Sequence, residues 1–106
     1  REEDGLAKSS RNTYLSADER SAALVISRSL AEGRKMLENG EKGLKKVSDT
    51  IISLIEKEPM AKIDYVKTVD ADTIIPKEKA SGRTLVAAAV YIGKTRLIDN
   101  FIYEEA

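Results

Sequence analysis

Cysteine and histidine are both absent from this 106-residue chain. Without thiols there is no disulfide framework and no sulfur nucleophile. Without imidazole the chain lacks the commonest general base and the usual zinc ligand, and a Ser-His-Asp arrangement is excluded within it. Tryptophan is missing too, and aromatic residues make up only 5%. A core must therefore come from Leu, Ile, Val and Ala. Excess charge of one sign is also lacking, with 18 basic and 18 acidic residues. That balance argues against a dedicated nucleic-acid binder, which needs a basic face to displace counterions. It leaves room for a small anionic ligand held by one or two arginines. The longest apolar run, residues 85–92, is far too short to cross a bilayer. No signal-peptide pattern is visible. The expected partners therefore include neither nucleic acid nor membrane.

What is present suits one small globular domain. Apolar residues amount to 42%, an ordinary share for a folded chain and too high for disorder. A chain of this length can bury roughly two-thirds of its unfolded surface, enough for a core without covalent staples.

The pattern along the chain changes once. Residues 1–15 read as irregular. Ser16-Ala17-Asp18-Glu19 is a capping-box signature, with Ser at the N-cap and Glu three residues on. Leu15 is placed as a staple against the stem of Arg20. A helix then follows with Ala23, Ile26, Leu30 and Leu37 on its apolar face and Leu24 and Ala31 beside them. Gly33 inside it costs about 1 kcal/mol against Ala and permits close approach by another element. Asn39-Gly40 is a stop signal. A second helix is predicted over residues 43–57, with Leu44, Val47, Ile51, Leu54 and Ile55 as its stripe and Pro59 beyond its end. The short link predicts an antiparallel helical hairpin. Residues 62–69 carry β-branched and aromatic strand formers, and Ile74-Ile75-Pro76 either extends or interrupts that strand. Ala80-Ser81-Gly82 reads as a turn. Residues 83–92 read as a central strand buried on both faces, Gly93-Lys94-Thr95 as a hairpin turn, and residues 96–103 as its partner strand. The fold class is thus α+β: an N-terminal loop, a two-helix hairpin and a three-stranded, mainly antiparallel sheet.

The stretch Asp4-Gly5-Leu6-Ala7-Lys8-Ser9-Ser10-Arg11-Asn12 carries the chemistry. Glycine permits unusual backbone angles. Hydroxyls and nearby amides offer donors. Arginine adds a fixed fork of donors whose charge does not titrate away. The combination suits a loop that wraps anionic oxygens; equally, it suits a turn followed by a helix cap. A second polar cluster is Arg96, Asp99 and Asn100. In a strand, Asp99 lies on the Leu97 side, while Arg96 and Asn100 share the other face. These three suit either an exposed strand with a weak hairpin salt bridge, or contact with another domain or with the loop itself. Lys42, Lys45 and Lys46 read as a solvated face. Glu2-Glu3-Asp4, three consecutive carboxylates, makes a poor metal cage, so no metal site is expected there.

The residues Arg1-Glu2-Glu3-Asp4-Gly5-Leu6-Ala7-Lys8-Ser9-Ser10-Arg11-Asn12-Thr13-Tyr14-Leu15-Ser16 resemble the signature that opens the C-terminal domain of the pantothenate synthetase family, the pantoate–β-alanine ligases. A second resemblance lies in Gly93-Lys94-Thr95-Arg96-Leu97-Ile98-Asp99-Asn100, at a spacing that also fits the family. Together they cover nearly the whole chain. One departure is Lys8, where many members carry Met or Leu. A backbone contact there would survive the change, and an apolar side-chain contact would not.

The resemblance implies the C-terminal lid domain of a longer enzyme, cut from an upstream nucleotide-binding domain. That enzyme would be an AMP-forming ligase using ATP with Mg²⁺, in the cytoplasm, on the route to coenzyme A. Pantoate would attack the α-phosphorus of ATP to give pantoyl adenylate, and β-alanine would then displace AMP. Carried across, Lys8 approaches adenosine through its backbone, Ser9 and Ser10 donate to phosphate oxygens, and Arg11 neutralises phosphate charge as pyrophosphate departs. Asn12 either braces the loop or reaches ligand, with bracing favoured. Asp4-Gly5 forms the turn that aims the loop, and Arg1 lies within possible reach of phosphate. No proton-transferring residue is expected here, and the fragment alone is expected to be inactive and monomeric, the full-length enzyme a homodimer through its upstream domain. Two alternatives stand beside this: an accessory domain of another nucleotidyltransferase, and a non-catalytic packing or oligomerisation module.

Overall fold

The computed structural model describes residue 6 and residues 15–104. Helix α1 spans Ala17–Glu38 and helix α2 Leu44–Glu56; strands β1, β2 and β3 follow at Ala61–Asp70, Arg83–Ile92 and Thr95–Glu104. The strands form one antiparallel sheet in the order β1-β2-β3. The α+β expectation holds for the two helices and the three-stranded antiparallel sheet; the expected N-terminal loop falls, apart from Leu6 and Leu15, outside the described residues.

Local chemistry sets the helix ends. The Ser16 hydroxyl accepts from the Glu19 amide at 3.1 Å, and the Glu19 carboxylate accepts from the Ser16 amide at 3.0 Å, completing the capping box. Leu15 packs against the core. At the other end Gly40 takes φ 98°, and the amides of Gly40 and Glu41 donate back to Leu37 and Met36, a Schellman closure. α2 has no side-chain cap at Gly43. Its first amide, on Leu44, instead donates to the Glu78 carbonyl at 3.0 Å, while Ala80 donates to Lys42 at 2.9 Å. The segment leading into β2 therefore caps α2 through the backbone.

The helices fold back on each other where Gly33 permits it. A Cβ there would lie 2.7 Å from Ile51 Cδ1 and 3.3 Å from Val47 Cγ1. α1 packs on β2 and β3, and α2 on β1. The core between the layers gathers Ala23, Ile26, Leu30, Leu37, Leu44, Val47, Ile51 and Ile55 with Val86, Ala88, Val90 and Ile92, and Leu6 joins it. Ala31, expected beside the first stripe, and Leu54, expected in the second, fall short of the core. Ala31 is exposed and Leu54 is only partly buried.

One expectation needs correction. β2 is central in the sheet but covered by helices on one face only. Thr84, Val86, Ala88, Val90 and Ile92 face the helices and are buried, whereas Leu85 and Ala87 are half-buried and Tyr91 exposed on the other side. Ala89 is the buried exception on that side, a small residue between Tyr65 and Ile98 in the strand register. Both helices lie on the same face, so the continuous apolar run does not signal burial on two sides. The Ile74-Ile75-Pro76 stretch neither extends nor interrupts β1, which ends at Asp70; it turns back beside the strand, with the Asp70 amide donating to the Ile75 carbonyl at 2.8 Å and the Lys77 amide to Thr68 at 3.1 Å. The Asp70 carboxylate accepts from the amides of Asp72 and Thr73 and from the Thr73 hydroxyl. Ile74 is thereby held at φ 62°, a left-handed conformation costly for a β-branched residue, and both isoleucines stand exposed.

Candidate functional site

Lys8, Ser9, Ser10, Arg11 and Asn12, together with Arg1, Glu2-Glu3-Asp4 and Gly5, lie outside the described residues. What the structure describes is the frame on either side of this segment. Leu6 is 4% exposed and belongs to the core, and Leu15 packs against the same core. Residues 7–14 thus connect two points held by one hydrophobic cluster.

The segment leads straight into the α1 N-terminus. That terminus is not itself built to hold phosphate. Ser16 takes one amide, and Asp18 and Glu19 put two carboxylates into the first turn. These charges favour the helix dipole but repel an anion.

Beside the α1 N-terminus sits the β2–β3 hairpin turn. Gly93 adopts φ 60°, and its amide donates to the Met60 carbonyl at 3.4 Å. The Glu19 carboxylate carbon lies 3.5 Å from where a Gly93 Cβ would be, and Glu19 Oε2 lies closer still, inside overlap distance. The cap of α1, the hairpin tip and the start of β1 thus converge at one end of the domain.

The second polar cluster divides as the strand alternation predicts. Asp99 pairs across from Ala88 on the helix side and is 9% exposed. Its carboxylate accepts from the Asn100 amide at 2.8 Å. Arg96 and Asn100 face the uncovered side, opposite Tyr91 and Ala87. The Arg96 Nε donates to Asp64 Oδ2 on β1 at 2.9 Å, and its guanidinium lies 5.8 Å from the Tyr65 ring centre. The hydrogen bond to Asp64 raises the Arg96 pKa above its ordinary value. Asp64 reaches this position because β1 carries a bulge between Ile63 and Tyr65. Sequence reasoning missed Asp64, since a bulge in a ten-residue strand leaves no clear mark in the alternation. The Lys67 ammonium lies 4.7 Å from the same Tyr65 ring centre. Lys45 and Lys46 are exposed as expected, paired weakly with Asp49 and Glu41. Among the described residues no group of three or more Asp, Glu, His or Cys could hold a metal ion. No described helix is long and apolar enough to cross a membrane.

The family model for pantoate-beta-alanine ligase matches residues 1–102. The chain belongs to this family. Among its ligase relatives, the pantothenate synthetase of Clostridium botulinum (strain ATCC 19397 / Type A) is 59% identical over 104 residues, 98% of this chain and 37% of that protein. The pantothenate synthetase of Clostridium acetobutylicum is 55% identical over 103 residues, covering 97% of this chain and 37% of that protein. The crystal structure of pantothenate synthetase from Thermus thermophilus superposes with a TM-score of 0.88 at 33% identity, covering 95% of this chain and 36% of that one. The chain therefore spans little more than a third of the ligases it matches. The fold matches that part of the Thermus enzyme, with two helices over a three-stranded antiparallel sheet.

Proposed function

We propose that this chain is the C-terminal domain of a pantothenate-forming ligase and that it closes over ATP held by an upstream nucleotide-binding domain. The observation that carries this reading is the near-complete match of the chain to just over a third of a pantothenate synthetase at 59% identity. In the proposed reaction a pantoate carboxylate oxygen attacks the α-phosphorus of ATP, and the bond to the leaving pyrophosphate breaks. The β-alanine amine then attacks the acyl carbon of pantoyl adenylate, AMP leaves, and the nitrogen gives up a proton.

Within this scheme Ser9 and Ser10 donate to phosphate oxygens, Lys8 approaches adenosine by its backbone, and Arg11 balances charge as pyrophosphate separates. This is electrostatic stabilisation, and losing one such donor costs about 3–4 kcal/mol in the barrier. The absence of histidine agrees with a domain that supplies charge and not proton transfer. Mg²⁺ enters as part of the Mg–ATP substrate; the described residues offer no carboxylate cage of their own. Closure excludes water from a hydrolysable adenylate. The pantoate and β-alanine pockets, and the homodimer contact, belong to the upstream domain. The isolated domain is then monomeric and inactive, and the full enzyme works in the cytoplasm toward coenzyme A.

The test is β-alanine-dependent AMP release by the full-length enzyme beside its Arg11→Ala variant, with folding checked for both. Release that requires pantoate and β-alanine, and a loss of at least about a hundredfold in the folded variant, is expected. An enzyme without that activity would remove the assignment. An active enzyme indifferent to the substitution would return residues 8–11 to the role of a turn and cap.

A further inference from the structure

The helical hairpin leaves a cleft of about 490 Å³ between α1 and α2. Val25, Ala31 and Leu54 supply its apolar surface, and Arg28, Glu32 and Lys57 stand around it. Ser29 also lines it, buried, with its hydroxyl donating to the Val25 carbonyl. Two features leave this cleft unfinished. Leu54 keeps the apolar spacing of Val47 and Ile51 along α2, yet it is only half-buried. Among the described residues, neither the Arg28 nor the Lys57 side chain has an ion-pair or hydrogen-bond partner. Glu32, one turn beyond Arg28, pairs instead with Lys35 at 3.8 Å. Elsewhere on the hairpin exposed lysines do meet acids, Lys45 with Asp49 and Lys46 with Glu41. The cleft is thus apolar at its centre with surplus positive charge at its edge, the complement of a partly apolar, acidic surface.

Its place in the fold bears on what fills it. The chain spans little more than a third of a ligase it matches, so most of such an enzyme lies outside it. In the proposed reading that remainder joins ahead of residue 1. The chain is held at the start of α1, where Leu15 packs on the core and Ser16 caps the helix. Val25 lies roughly 14 Å along α1 from Ser16. Lys57 caps the C-terminal end of α2, four positions before β1 begins. The cleft therefore lies toward the end of the domain at which the chain enters. A second copy of this chain suits it poorly, because two-fold pairing would set cleft against cleft and cation against cation.

We infer that this cleft receives the upstream part of the same enzyme, an apolar side chain entering beside Val25 and Leu54 and a carboxylate lying near Arg28 and Lys57. The inference rests on reading the chain as the C-terminal domain of a longer ligase, and it adds the surface on which the two parts meet.

The test uses the full-length enzyme in two arms. In the first, p-benzoylphenylalanine replaces Ala31, which is exposed at the edge of the cleft. Irradiation followed by peptide mass spectrometry should show a cross-link, within one molecule, to a segment ahead of residue 1 that carries Asp or Glu. Cross-links confined to residues 1–106, or made to a second copy, would overturn the inference. In the second arm Arg28→Glu and Lys57→Glu are combined and compared with Lys45→Glu combined with Lys46→Glu, which makes the same change in net charge away from the cleft. With folding checked, the cleft pair should lower kcat/KM for ATP at least tenfold, and the gap should narrow on added salt. The control pair should stay within twofold of the parent. Equal kinetics for the two pairs would also overturn it. The cross-link needs no turnover, which separates the two levels. An active ligase without the upstream cross-link sinks the docking surface alone. The cross-link in a parent without β-alanine-dependent AMP release sinks the ligase reading and upholds the surface.

Discussion

The two faces of the sheet have similar sequences and opposite fates. On the helix side of β2, Thr84, Val86, Ala88, Val90 and Ile92 are shut away from solvent. On the other side, Leu85 and Ala87 are partly covered, while Tyr91 and the β3 residues Ile98 and Ile102 stand 37%, 48% and 42% exposed. Both faces are rich in apolar side chains. The difference is the presence of a second layer. Apolar character makes a residue suitable for burial, but only a packed partner removes it from water. The covered face therefore carries stability. The uncovered face carries its polar organisation in the Asp64–Arg96 pair and in the Tyr65 ring, near whose centre Lys67 and Arg96 both lie.

This contrast can be broken most sharply by truncating one isoleucine on each face. Ile92→Ala should cost about 2–5 kcal/mol in urea unfolding, because a buried side chain leaves a cavity. Ile98→Ala should cost under about 1 kcal/mol, since its side chain already meets solvent. Equal costs would mean that the uncovered face is buried in solution, against the one-layer description.

A smaller effect of opposite sign is expected inside the covered face. The Thr84 hydroxyl is buried with no hydrogen-bond partner. Replacing it by a methyl group in Thr84→Val should raise stability by about 1 kcal/mol, read as a higher unfolding midpoint. A loss of stability would reveal a partner for the hydroxyl.

The smallest effect lies at the margin of the sheet and depends on pH. Amide donation from Thr73, with the Lys77 ammonium at 3.2 Å, lowers the Asp70 pKa from the usual 3.8 to about 2. A lowered folded-state pKa means the ionised carboxylate stabilises the fold above about pH 3.8, and that this contribution fades as pH falls toward 2. Asp70→Asn should therefore be less stable than the parent near neutrality, and the gap should narrow between about pH 4 and pH 2. A gap that stays constant through that window would show that the turn around Ile74 is held by hydrogen-bond geometry and not by charge.

Much of this domain is written locally, and that part was legible. The capping box at Ser16 and Glu19, the stop at Asn39-Gly40 and the break before Pro59 each depend on residues within one or two turns. The extent of β2 follows its β-formers, and the separation of Asp99 from Arg96 follows from alternation alone. The polar segment at residues 4–12 was legible as residue types alone, and the family is shown by the match along the chain. Its residues 8–11 lie outside what the structure describes, so their roles stay with the kinetic test.

Other features required the third dimension. A bulge turns Asp64 toward an arginine more than thirty positions away. The start of α2 is capped by a backbone carbonyl from the segment before β2, so no side chain announces it. Gly93 reads as an ordinary turn glycine until Glu19 is seen against it. The elements, their ends and the family could be read from the order of residues, because hydrogen bonds between near neighbours and the helical and strand periodicities act at short range. Packing settled the rest: which face of the sheet is covered, which carboxylate meets Arg96, and that one glutamate joins helix cap to hairpin. Those outcomes depend on how separately formed elements meet, and no local pattern encodes that meeting.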